Sequence, residues 1–220
     1  RPRLVGGMTR HLARRMVACG PVLEGPAADA SVYGLQEAAA AEGWSDVLGQ
    51  AEAALRPVLA ASPYLAALMR RWPDKLRGTL DSDPDERLAR ILNETRRLGG
   101  GADDVRVPLR LLKADLHLLA ALCDLGGVWD LDAVTGALSA FADASLQAAF
   151  RAVAHDCRER GQLIAPEHAD NPIPGLFGLA MGKHGAHELN YSSDIDVTFF
   201  HEQPVLQAAL GERQEAQAFA

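Results

Sequence analysis

The run from Leu176 to Phe200 constrains this chain more than any other part of it. Two short apolar segments bracket Gly182-Lys183-His184-Gly185-Ala186-His187-Glu188-Leu189-Asn190, and the second carries Asp194 and Asp196. The run reads as strand, turn and strand. Residues two apart in a strand share a face, so Asp194, Asp196 and Thr198 are expected on one side and Ile195, Val197 and Phe199 on the other. Two carboxylates then occupy one small volume. At roughly 6 Å and an effective dielectric of about 20 their repulsion is about 3 kcal/mol when both are ionised, so the pair calls for a cation. Oxygen-only ligands at this spacing suit Mg²⁺ or Mn²⁺ better than zinc.

The rest of the chain reads as helix. Its 220 residues can bury a core in one or two domains, aromatic residues make up only 5%, and Ala and Leu recur in long stretches, which favours helix packed on helix. The expected class is α+β, predominantly α-helical. A net charge of -7 weighs against non-specific nucleic-acid binding. No apolar run approaches the length of a membrane span and the start lacks a secretory apolar core, so a soluble protein with no membrane attachment is expected. Cys19, Cys123 and Cys157 are odd in number and lack Cys-x-x-Cys spacing, which fits a reducing cytoplasm. Lys75, Lys113 and Lys183 are the only lysines, and Lys183 falls inside the turn, where a cation is suited to phosphate.

Residues 1–31 mix Arg with Gly, Pro and Ala and are expected to be loose, although Thr9 to Cys19 can form a helix; the ordered body is expected from about Tyr33. Ser62-Pro63 predicts a helix start and Pro73 a stop at Trp72, and Asp83-Pro84-Asp85-Glu86 predicts another start, with Gly99 and Gly100 as the exit. Leu109, Leu112, Leu116, Leu119 and Cys123 form one helical face ending at Gly126-Gly127. Asp130 or Asp132 caps a long helix running to about Arg160, with one stripe through Leu131, Val134, Leu138 and Phe141 and a second through Leu146, Phe150, Val153 and Cys157. A Pro-rich linker over 161–175 predicts a boundary between a helical region, 32–161, and a small sheet domain, 175–220, with a further helix from about Ala208.

Met181-Gly182, followed twelve residues after the glycine by Asp194-Ile195-Asp196-Val197, is similar to the signature of polymerase β-like nucleotidyltransferases, in which a glycine turn contacts the nucleotide's phosphates. The whole stretch from Ala180 through Glu188-Leu189-Asn190-Tyr191-Ser192-Ser193 to Asp196 resembles the glutamine synthetase adenylyltransferase/adenylyl-removing family, and its amino-terminal, AMP-removing domain more than its carboxy-terminal, AMP-adding one. Ala121 to Trp129 and Phe141-Ala142-Asp143-Ala144 also resemble that family's helical region.

The resemblance implies phosphorolysis of adenylyl-tyrosine on glutamine synthetase to ADP and tyrosine, under control by the PII signal protein. It implies Asp194 and Asp196 as catalytic metal ligands, with Gly182, Lys183 and Ser193 contacting phosphate, and ADP or ATP and phosphate as substrates. Two other readings stay open: adenylyl transfer from ATP to the tyrosine, and a non-catalytic helical interaction module. The family's third carboxylate lies on a later strand, so a fragment of a longer protein, with an incomplete sheet, is the expectation for a chain ending at Ala220. His184 departs from the family, which usually has an apolar residue there. With His187 it puts two imidazoles near the carboxylates, but Gly185 between them argues against the helical spacing of a zinc hydrolase.

Overall fold

The computed structural model describes residues 10–22, 25–168 and 171–210. It is α+β and predominantly helical, with ten helices and one two-stranded sheet among the described residues. In chain order these are α1 (Leu12–Arg15), α2 (Gly25–Glu42), α3 (Ser45–Ala61), α4 (Pro63–Arg71), α5 (Pro73–Leu80), α6 (Pro84–Arg97), α7 (Ala102–Leu125), α8 (Leu131–Glu159), β1 (Leu176–Met181), α9 (Gly182–Gly185), β2 (Asp196–His201) and α10 (Gln203–Ala209).

Local chemistry sets many helix ends. Ser62 Oγ accepts the Leu65 N–H at 3.2 Å, Asp83 Oδ1 accepts those of Asp85 and Glu86 at 3.0 and 3.3 Å, and Asp130 Oδ1 accepts that of Ala133 at 2.9 Å. Each bond satisfies an amide that has no partner within its own helix. Between Asp130 and Asp132, the cap of α8 is therefore Asp130.

Several boundaries differ from expectation. Helix α1 lies inside the Thr9 to Cys19 stretch read as able to form a helix, whereas α2 starts at Gly25 in the stretch read as loose, so order begins well before Tyr33: Leu12 is buried, its N–H bonds to the Ser82 carbonyl at 2.9 Å, and the Val17 N–H bonds to Gly126 at 3.0 Å. Residues 1–9 lie outside the described residues. Helix α7 starts at Ala102, ahead of the apolar face that begins at Leu109, and carries Pro108 inside it. Its first amides are capped at both ends of the Gly101-Ala102 peptide, Gly101 N–H by Asp104 Oδ2 at 2.9 Å and Ala102 N–H by Asp156 Oδ2 at 3.1 Å. The helix expected from Ala208 comes earlier as α10, after which Leu210 turns extended and bridges to Leu163; residues 211–220 lie outside the described residues.

The chain divides into two compact units, one of Arg1–Ile91 with Ala114–Ala137 and one of Leu92–Lys113 with Leu138–Ala220. In the first, Trp44, Leu55, Met69, Leu76, Leu80 and Leu119 are among the fully or nearly fully buried side chains. Its most buried ion pair is that of Arg87 and Asp115, whose two carboxylate oxygens accept from Nη2 at 2.8 and 2.7 Å, with Lys75 Nζ 3.5 Å away.

The second unit holds the sheet. The expected boundary over 161–175 falls inside it, because Leu163 and Ile173 from that stretch pack with Ala154, Cys157, Leu206 and Leu210. Arg158 adds polar ties, donating from Nε to the Ala165 carbonyl at 3.0 Å and from Nη2 to that of Pro172 at 2.8 Å. Burying a leucine such as Leu163 is worth roughly 2 kcal/mol, so the stretch is held as core and does not act as a spacer. The second stripe of α8 is only partly inward: Val153 is 47% exposed, whereas Ala148, Ala152 and Ala154 are buried.

Among the described residues no helix is long and apolar enough to cross a membrane. Burial pushes the Cys123 thiol up to about 12 and also raises that of Cys157.

Candidate active site

Strands β1 and β2 pair antiparallel, with Leu176 opposite His201, Gly178 opposite Phe199, Leu179 opposite Thr198 and Met181 opposite Asp196. Because paired residues share a face, Asp196 and Thr198 lie on the side of Phe177, Leu179 and Met181, and Val197 and Phe199 on the side of Gly178 and Ala180. Phe199 meets Phe150 of α8 with ring centroids 5.5 Å apart, while Phe177 and Phe200 stack at 5.6 Å on the opposite face. The alternation expected from Asp196 onward therefore holds. Asp194 lies in the segment just before β2, outside the strand.

The register has a direct chemical result. Pairing Met181 with Asp196 brings the next residue, Gly182, against the Asp196 carboxylate: a Cβ on Gly182 would lie 2.7 Å from Asp196 Oδ2. Gly182 also has φ +54°, a left-handed conformation that glycine adopts without a side-chain clash. The chain then makes the single turn α9, in which Ala186 N–H donates to the Gly182 carbonyl at 3.1 Å, His187 N–H to that of His184 at 3.1 Å and Glu188 N–H to that of Lys183 at 2.8 Å. Gly185 lets this turn lie on β1, since a Cβ there would be 2.5 Å from the Ala180 carbonyl oxygen.

Lys183 is exposed on α9 and makes no ion pair among the described residues. His184 and His187 do not act together. His184 is buried and bonded to Asp143, whereas His187 is exposed and holds φ 58°, at a cost of about 1–2 kcal/mol for a residue other than glycine. Beyond them, Asn190 folds the approach to the aspartates: its Oδ1 accepts from the Ser192 N–H at 3.0 Å and from the Ser193 hydroxyl at 2.9 Å. The Ser193 proton is thus engaged in this turn.

Asp194 and Asp196 are exposed and without ion pairs among the described residues. Carboxylate oxygens are the donor type that suits a hard divalent cation, and Gly182 leaves room beside that of Asp196. Among the described residues no three His, Cys, Asp or Glu side chains gather in a metal-holding group. A groove of about 1050 Å³ in the same unit is lined by Asp143, Phe150, Ala180, His184 and Val197; Asp194, Asp196 and Lys183 are not part of its lining.

The family model for glutamate-ammonia ligase adenylyltransferase matches residues 52–220. The bifunctional glutamine synthetase adenylyltransferase/adenylyl-removing enzyme of Caulobacter vibrioides is 47% identical over 213 residues, covering 94% of this chain and 21% of that protein. This chain belongs to the glutamate-ammonia ligase adenylyltransferase family. Enzymes of the same name from Rhodopseudomonas palustris and Bradyrhizobium diazoefficiens are 44% and 46% identical, over 68% and 63% of this chain and 16% and 14% of theirs. The chain thus spans about a fifth or less of the length of these family members, and no solved structure matches it.

Within this member of the family, the structure brings Gly182 and Asp196 together and places Lys183 beside them in sequence on α9. Sequence reasoning missed Asn190, whose Asn-x-Ser-Ser spacing is a readable Asx-turn signal, and Asp143, which lies 41 residues from its partner and has none.

Proposed function

We propose that this chain carries part of the adenylyl-removing nucleotidyltransferase region of a longer enzyme, which removes the adenylyl group from glutamine synthetase by phosphorolysis, as ADP. The observation that carries this reading is the register that sets the Gly182 turn against the Asp196 carboxylate. A phosphate-binding turn and a carboxylate ligand must be adjacent for chemistry at a nucleotide's phosphorus, and here one strand pair supplies both. The names of the curated relatives support glutamine synthetase as the substrate protein. The PII signal protein as regulator and a cytoplasmic setting belong to the same reading.

Asp194 and Asp196 would hold Mg²⁺ or Mn²⁺, which when bound supplies neutralisation of phosphate-oxygen charge. The chain's own groups do the rest. The Lys183 ammonium and the backbone at Gly182 bind phosphate oxygens of the nucleotide, and the Asn190–Ser193 turn, closed by the Ser193 hydroxyl donating to Asn190 Oδ1, orients Asp194. In the reaction an oxygen of inorganic phosphate bonds to the AMP phosphorus, and the bond to the tyrosyl oxygen breaks. ADP leaves with the new phosphoanhydride and tyrosine leaves as phenolate, to be protonated by solvent. Because phenolate is a tolerable leaving group, positioning and charge neutralisation account for most of the rate.

The test supplies adenylylated glutamine synthetase, Mg²⁺ and phosphate to a protein of the relatives' length that carries this segment. ADP release is the expected outcome. Incorporation of label from ATP into unmodified glutamine synthetase, with no ADP release, would assign the segment to the opposite reaction.

A further inference from the structure

The His184 ring is buried, 2% exposed, in the middle of a turn whose other members are exposed. Its Nε2 lies 2.8 Å from Oδ1 of Asp143, on α8 in the same compact unit. A carboxylate accepts, so Nε2 carries the proton of this bond. Nδ1 is buried without a partner, and the neutral ring with its proton on Nε2 is the form that leaves no buried N–H unpaired. One hydrogen bond therefore fixes this imidazole.

A helix of four residues cannot hold its own geometry. Helix α9 is located by three contacts: Gly182 against Asp196 of β2, Gly185 against the Ala180 carbonyl of β1, and His184 bonded to Asp143. The two glycine contacts set how closely the turn approaches the sheet, but they put no side chain in place. The His184 bond sets its rotation. Neighbouring helical residues point about 100° apart, so holding His184 inward keeps Lys183 outward.

We propose that the Asp143–His184 hydrogen bond is a positioning clamp that sets the Gly182–Lys183 turn for the phosphates of a nucleotide, a role that rests on the nucleotidyl-transfer reading above. Asp143 is the positioning residue, acting from α8 through the imidazole. Its side chain is 47% exposed, so its replacement leaves no buried charge on α8.

The test compares Asp143→Ala with Asp143→Asn in the full chain, Asn retaining an oxygen that accepts from Nε2–H. Amide hydrogen exchange at Ala186, His187 and Glu188 is expected to quicken about tenfold or more in Asp143→Ala and to return within about twofold in Asp143→Asn. Titrated with Mg²⁺ and ADP, Asp143→Ala is expected to bind about tenfold more weakly, again with rescue by Asn. In the longer enzyme the same loss should fall on KM for phosphate with kcat little changed. Unchanged exchange in Asp143→Ala, with the thermal midpoint retained, overturns the clamp whatever the nucleotide result. Failure of the unsubstituted chain to bind Mg²⁺ and ADP, alongside faster exchange in Asp143→Ala, overturns the nucleotide reading and with it the clamp's role in binding.

Discussion

Replacing Asp115 with alanine is expected to cost about 3–5 kcal/mol of stability, because it strands a buried cation. The Arg87 side chain is only 12% exposed, and both oxygens of the 8% exposed Asp115 accept from its Nη2. Lys75 stands 3.5 Å from the same carboxylate, so removal leaves two positive charges facing a void. The attraction in the native pair largely offsets the desolvation of its members, and the net worth of the pair is much smaller than the cost of breaking it. Two controls separate these quantities. Asp115→Asn keeps an acceptor and should cost less than Asp115→Ala. The double change Arg87→Met with Asp115→Leu should recover most of the loss, since the more buried cation goes with its partner and only Lys75, 21% exposed, is left to turn to solvent. Urea midpoints measured by circular dichroism give all three values. A loss below about 1 kcal/mol in Asp115→Ala would mean that the pair behaves as a solvated surface bridge.

Gly182→Ala should lower the activity of the longer enzyme about a hundredfold or more, while costing only about 1–2 kcal/mol of stability. The two effects have different origins. Stability falls because φ +54° strains an alanine, and activity falls because the new methyl would lie 2.7 Å from Asp196 Oδ2 and must displace that carboxylate. Backbone there belongs to a strand end and a single turn, so the side chain of Asp196 yields first. Gly136→Ala is the matched control: it lies inside α8 with no atom within 4 Å of the added carbon, and it should stabilise by about 0.5–1 kcal/mol without touching activity. Initial rates and thermal midpoints on the same preparations test both. Full activity in Gly182→Ala would show that the carboxylate has room the structure does not give it.

The features legible in the sequence are those that local chemistry decides. Ser62, Asp83 and Asp130 cap helices through amides two or three residues away, and each was readable from its own neighbourhood. The strand, glycine turn and second strand were legible for the same reason, since alternation and turn chemistry act over a few residues. Errors arose where distant contacts override local preference. The apolar face through Leu109 did not show that α7 begins at Ala102, because the cap on the Ala102 amide comes from Asp156, 54 residues on. The Pro-rich stretch near Ile173 read as a linker, yet Leu206 and Leu210 bury it after the chain has passed through the sheet. Within the site, the meeting of Gly182 with Asp196 follows from the register, whereas the bond from His184 to Asp143 depends on how α8 packs in its unit.

The most direct measurement changes Asp194 and Asp196 to asparagine within a protein of the relatives' length and assays both reactions on glutamine synthetase. Both carboxylates are exposed, so the amides preserve shape and remove only charge. The expected result is a loss of about a thousandfold or more in phosphate-dependent ADP release, with AMP incorporation from ATP held within about twofold. Undiminished ADP release, or loss of incorporation with release intact, would contradict the assignment of this segment to removal of AMP.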